Sequence, residues 1–206
     1  MYALVAKIIR ALHLRYFYSF GADEGVKFLN GILFHMEYFS VIKDADIFDG
    51  PTSTPKEWII RKTSKGFVYD EQGNVCLLEV KNYYGLPGGG IEGNETFEQA
   101  FIRECKEEIG CDIEIDTSIG VCNQYRSRLG TIYTIQYFVA HVVGKKGVPT
   151  TTEEDEKTVS FSWYSEEEVS KNFREQISHI PQEDYPMQFN ARTHSRAWEL
   201  CLESKA

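Results

Sequence analysis

The chain of 206 residues is 42% hydrophobic and 26% charged, which is too apolar for a disordered chain and sufficient for a folded core. Asp and Glu number 31 against 22 Lys and Arg, so the formal charge is −9; this argues against duplex DNA as a partner and suits carboxylates that hold a cation beside phosphate. No run of about 18 apolar residues exists to span a membrane, and Lys7, Arg10 and Arg15 interrupt what would be a signal core. A cytoplasmic protein without a membrane partner is therefore expected.

In chain order, Leu4, Val5, Ile8, Ile9, Leu12 and Tyr16 recur at helical spacing. So do Phe28, Leu29, Ile32, Leu33 and Met36, after a cap at Asp23. Residues 44–55 then turn acidic and carry Gly50, Pro51, Ser53 and Pro55, the composition of a linker. Residues 1–55 thus read as an N-terminal helical extension, and 56–206 as the main domain. The two apolar stripes need cover, from each other, from the main domain or from a second subunit in a homodimer.

From Glu57 the pattern changes to strands: 58–61, 67–69, 75–80, 112–115, 119–125, 132–143 and 158–164. Residues 85–90, Gly-Leu-Pro-Gly-Gly-Gly, can only be a loop. A helix is predicted over 96–109. Ser165 with Glu168 three residues later predicts the start of a second, and 190–202 a third. Strands mixed with helices indicate an α/β (α+β) domain with a mixed sheet between helices. The five cysteines, Cys76, Cys105, Cys111, Cys122 and Cys201, are odd in number and lack Cys-x-x-Cys spacing, so buried free thiols are expected.

The chemistry concentrates in residues 89–111, GGIEGNETFEQAFIRECKEEIGC. On a helix, Glu104, Glu107 and Glu108 share one face, because each residue advances by roughly 100°. Phe101, Ile102, Cys105 and Ile109 lie on an adjoining face and can pack inward. Three carboxylates so close repel one another, and a hard cation such as Mg²⁺ relieves that repulsion.

The same stretch resembles the signature of the Nudix family, Gly-x5-Glu-x7-Arg-Glu-U-x-Glu-Glu-x-Gly-U. All seven fixed positions match: Gly89, Glu95, Arg103, Glu104, Glu107, Glu108 and Gly110. At ordinary residue frequencies, a chance match in a chain of this length is rarer than roughly one in a hundred thousand. Cys105 and Cys111 stand where the family prefers Ile, Leu or Val, and cysteine packs as a small hydrophobe. The resemblance covers residues 57–203.

The resemblance implies a Nudix fold and hydrolysis of a nucleoside diphosphate linked to another moiety, with Mg²⁺ or Mn²⁺ as cofactor. It implies Glu104, Glu107 and Glu108 as metal ligands, joined by the carbonyl of Gly89. Arg103 would orient the glutamates, and Glu95 would brace the loop. The proton acceptor would be a signature glutamate or an acid on a distant loop; within the acidic residues 153–156, Glu156 and then Glu154 are favoured. Around the site, Lys81, Tyr83 and Tyr84, with Arg61, Arg126 and Arg128 at strand ends, are the expected contacts to a small nucleotide diphosphate. The alternative is a nucleotide-binding module of the same fold without hydrolysis, but such relatives usually lose the glutamates that this chain keeps. The five histidines have no metal-ligand spacing and receive no role.

Overall fold

A computed structural model describes residues 28–29, 32–33, 38–52, 54–80, 83–150 and 159–205. The chain divides into two compact units, 1–36 and 37–206. In the first, strand β1 (Phe28–Leu29) pairs antiparallel with β2 (Ile32–Leu33). This overturns the second predicted helix. The intervening Asn30-Gly31 is the dipeptide favoured in two-residue hairpin turns, and it outweighs the helical spacing of the apolar residues. The first predicted helix, 4–16, lies outside the described residues.

The second unit begins with β3 (Tyr38–Lys43), which pairs in parallel with the much later β7 (Asp112–Arg126) from Ser40 to Lys43. Ile42 and Phe48 are buried in the core, so the boundary expected at residue 55 falls inside this unit. β4 (Ile59–Tyr69) runs in parallel beside β8 (Thr131–Val143) over its whole length, and β8 lies antiparallel to β7. β5 (Val75–Val80) pairs antiparallel with both β6 (Tyr83–Gly85) and β9 (Ser160–Tyr164). The mixed sheet has the order β3-β7-β8-β4-β5-β6, with β9 beside β5.

Strand β4 joins two segments that the sequence separates. Its polar run Arg61 to Lys65 discourages a strand assignment, yet this half of β4 faces a loop rather than the core. Ser64 N donates to Gly89 O at 2.9 Å, and Ile91 N to Lys62 O at 3.1 Å. The strand is polar where it holds the glycine loop and apolar from Phe67 onward, where it enters the interior.

Among the described residues, three helices cover the sheet: α1 (Phe97–Ile109), α2 (Glu166–His179) and α3 (Tyr185–Glu203). Capping boxes start the first two, Thr96 with Gln99 and Ser165 with Glu168. Helix α1 packs Phe101, Cys105 and Ile109 against Val68, Cys76 and Phe138, and the Phe101 and Phe138 rings stack at 5.4 Å. Ile102, expected to face inward, is 43% exposed, and Ala100 is buried instead. A Cβ on Gly66 would fall 2.4 Å from Phe101 Cζ, so glycine at this point of β4 lets α1 seat close to the sheet.

Helices α2 and α3 cover a second core containing Phe67, Leu77, Tyr137, Phe173, Phe189 and Trp198. Central strands therefore bury consecutive residues on both faces, as in Tyr137-Phe138. All five cysteines are free and buried: Cys76, Cys105 and Cys111 in the α1 core, Cys122 and Cys201 in the α2–α3 core. Among the described residues, no helix is long and apolar enough to cross a membrane.

Candidate active site

Arg103 is the hub of the site. Its Nε and Nη2 donate to the two oxygens of Glu95 at 2.9 and 3.1 Å, and Nη2 also donates to Gly90 O at 2.9 Å. Its Nη1 donates to Glu104 Oε1 and Glu107 Oε2, both at 2.9 Å. One guanidinium thus ties two helix carboxylates to the glycine loop, using the planar fork that lysine lacks. The paired carboxylates, Glu95 foremost, hold the Arg103 pKa above its ordinary value, and the Arg103 hydrogen bonds draw Glu95 below its own.

Glu104 lies almost wholly buried, at 7% exposed, whereas the Glu107 side chain keeps 39% of its surface. Burial lifts the Glu104 carboxyl above its usual range although Arg103 opposes the shift. Glu108 turns toward the loop, where its Oε2 accepts from Gly88 N at 2.8 Å.

Glycines permit this approach. Gly88 has φ +125°, and a Cβ there would lie 2.1 Å from Ser64 O. A Cβ on Gly89 would lie 2.2 Å from Glu104 Oε1. Lys65, not among the expected site residues, locks the same loop by donating to Leu86 O at 3.1 Å and Gly88 O at 2.7 Å. At the other end of α1, Gly110 adopts the left-handed conformation, and Thr150 N donates to Glu107 O at 2.9 Å.

As the side chains stand, no three His, Cys, Asp or Glu residues among those described converge on one metal position. Arg103 Nη1 fills the space between Glu104 and Glu107. The donor set nevertheless fits a hard divalent cation: every expected ligand is an oxygen, and only a glycine at 89 leaves room over the buried Glu104 carboxylate. Gly89 O, one expected ligand, already accepts from Ser64 N and retains a second lone pair.

The other expected contacts separate. Tyr83 and Tyr84 line a cavity of about 180 Å³ with Lys65, Glu108, Gln176 and His194. Arg61 is exposed on β4. Arg128 stacks over Phe48 at 4.2 Å, beside Asp44. Arg126, expected as a phosphate contact, is 4% exposed; it lies over the Tyr133 ring at 4.2 Å, donates to Gln124 and holds Asn190 Oδ1 at 2.6 Å. Burial lowers its pKa, and its position is internal because aromatic rings and amides surround the guanidinium. Lys81, Glu154 and Glu156 lie outside the described residues.

A family model described as the NUDIX domain matches residues 61–183, more than half of the chain. The chain belongs to the NUDIX family. It is 43% identical over 54 residues to an 8-oxo-dGTP diphosphatase of Proteus vulgaris, covering 23% of this chain and 48% of that protein. It is 31% identical over 83 residues to an ADP-ribose pyrophosphatase of Methanocaldococcus jannaschii, covering 37% of this chain and 48% of that one. The chain thus spans about half the length of these two curated relatives. Among solved structures, an ADP-ribose pyrophosphatase from Streptococcus suis is similar with a TM-score of 0.47 at 17% identity, over 70% of this chain and 91% of that one.

Sequence reasoning missed Lys65, Gln176, Asn190 and His194. His194 carries one local signal: with Ala191, Ala197, Trp198 and Cys201 it shares the buried face of α3, where a polar ring is out of place.

Proposed function

We propose that this NUDIX chain is a divalent-metal-dependent hydrolase that cleaves the diphosphate bond of a nucleoside diphosphate linked to another moiety. The observation that carries the reading is the Arg103 hub, which binds Glu95, Glu104, Glu107 and the loop carbonyl of Gly90 into one unit. A purely structural helix face would leave such carboxylates apart in water.

Glu104, Glu107 and Glu108, with Gly89 O, would hold the cation, Mg²⁺ or Mn²⁺. That cation supplies charge neutralisation for the diphosphate and acidifies water. Arg103 holds Glu104 and Glu107 on one side, and Lys65 holds the loop that carries Gly88 and Gly89. Glu107, the more exposed of the two helix carboxylates on Arg103, is suited to accept a proton from the attacking water. The acidic residues 153–156 begin three residues after Thr150, whose N–H donates to the Glu107 carbonyl, and this supports Glu156 as a second acid at the site. A cytoplasmic location, and a role for residues 1–36 in assembly as a homodimer, belong to the same reading.

The test is a panel of nucleoside diphosphate sugars, dinucleoside polyphosphates, oxidised nucleoside triphosphates and cofactor diphosphates, scored for phosphate and nucleotide release with Mg²⁺ or Mn²⁺. Release that chelation abolishes is expected. If no member is hydrolysed but several bind, the chain is a binding module instead.

A further inference from the structure

The cavity between β5–β6 and α2–α3 contains buried polar groups that the fold leaves without partners. Gln176 is 5% exposed; its Oε1 accepts from Tyr84 N at 2.9 Å, whereas its Nε2 has no hydrogen-bond partner among the described residues. His194 is 3% exposed, and neither ring nitrogen has a partner among the described residues. A buried donor or acceptor left unmet loses its hydration without compensation, so two such side chains on one cavity wall call for a ligand or ordered water. Asn190, on the same cavity, accepts from Arg126 Nη2 through its Oδ1, which leaves its NH₂ turned the other way as a further donor.

We propose that this cavity is a base pocket in which Gln176 and His194 select heterocycles with a lactam edge, a ring carbonyl adjacent to a ring N–H. The proposal rests on the hydrolase reading above and names the substrate class for that site.

The chemistry of the two side chains sets the preference. The Gln176 amide is fixed by the Tyr84 backbone, so only its NH₂ is offered. Burial, reinforced by the positive charges of Lys65 and Arg126, holds the His194 pKa well below its ordinary value, so the ring is neutral. A neutral imidazole has one N–H and one bare nitrogen. A lactam accepts from Gln176 Nε2 through its carbonyl and donates its N–H to the bare nitrogen of His194. Uracil, guanine and hypoxanthine have this edge. Adenine presents an amino donor beside a bare nitrogen, which sets donor against donor at Gln176.

Placement agrees. Tyr83, Tyr84 and Leu86 line the cavity beside Gln176 and His194. Glu108 lines the cavity and also bonds Gly88 N, so a ring seated here directs its phosphates toward the signature glutamates.

The test compares binding of inosine and adenosine 5′-monophosphates to the full chain by calorimetry, in wild type and in Gln176→Met and His194→Phe, with melting curves to verify folding. Inosine monophosphate is expected to bind at least ~10-fold tighter than adenosine monophosphate, and the ratio is expected to fall below ~3 in each folded variant. Equal affinities in wild type, no detectable binding of either nucleotide, or an unchanged ratio in a folded variant overturns the proposal. Hydrolysis of the matching diphosphate sugars is scored separately. Hydrolysis without base preference overturns the pocket alone, and base preference without hydrolysis overturns the hydrolase reading alone.

Discussion

Lys65 Nζ donates to Gly88 O at 2.7 Å, joining the middle of β4 to a loop 23 residues later in the chain. The same ammonium reaches Leu86 O, so one side chain satisfies two carbonyls of the glycine loop. Lys65→Met keeps the length of the side chain and removes both bonds. Destabilisation of about 1–3 kcal/mol in urea titration is expected, together with lower turnover as Gly88 and Gly89 lose their fixed position over Glu104 and Glu108. Unchanged stability would show that water replaces the ammonium at no cost.

Glu107→Gln retains shape and removes one charge from the hub. A drop in turnover of at least ~10²-fold is expected with the melting temperature nearly unchanged, since the residue is partly exposed and Arg103 keeps Glu95 and Glu104. Steady-state kinetics on any substrate that the parent hydrolyses decides it. Parent-like turnover would remove Glu107 from the chemistry.

His194 gives stability a pH dependence. Its native pKa is depressed by burial first, then by Lys65 and Arg126, whereas the unfolded ring titrates near about 6.5. Below that value the unfolded chain binds a proton that the native chain refuses, so stability is full above it and falls as the pH drops. The slope approaches about 1.4 kcal/mol per pH unit. His194→Phe is expected to flatten this slope between about pH 6.5 and 5. Parallel stability curves for parent and variant would refute the assignment.

A chain starting at Glu37 is expected to fold, and one starting at Glu57 to melt roughly 10 °C or more lower, as a loss of about 4 kcal/mol implies at this size. The shorter chain lacks β3, which pairs with β7, and loses Ile42 and Phe48 from the core. It also loses Asp44, which accepts from Tyr185 Oη at 2.6 Å and from Ser127 N at 3.1 Å. Thermal melts of the two chains side by side decide the matter.

What could be seen in the sequence was local. Glu104, Glu107 and Glu108 fall on one helical face by spacing alone, and Ser165 with Glu168 announced α2 through adjacent residues. Tyr38–Lys43 was overlooked because its aromatic and β-branched residues follow an apolar stretch with helical spacing, and its partner strand lies some 80 residues away. Arg126 looked like a surface cation because nothing nearby in sequence reveals that Tyr133 and Phe189 enclose it. Lys65, Gln176 and His194 come from three distant elements and meet only when β4, α2 and α3 pack. Residue type alone could not pair them.

The five buried thiols offer a built-in gauge of how the domain opens. Burial holds each of them above the ordinary cysteine pKa, Cys122 at about 12, so a native chain resists alkylation. Labelling must wait for a breathing event, and its rate reports the free energy of that event. Because Cys76, Cys105 and Cys111 sit beneath α1 while Cys122 and Cys201 sit beneath α2 and α3, the two sets time the two faces of the sheet independently. Mass spectrometry of a partly labelled sample would reveal which side loosens first, and whether a bound nucleotide slows one side more than the other.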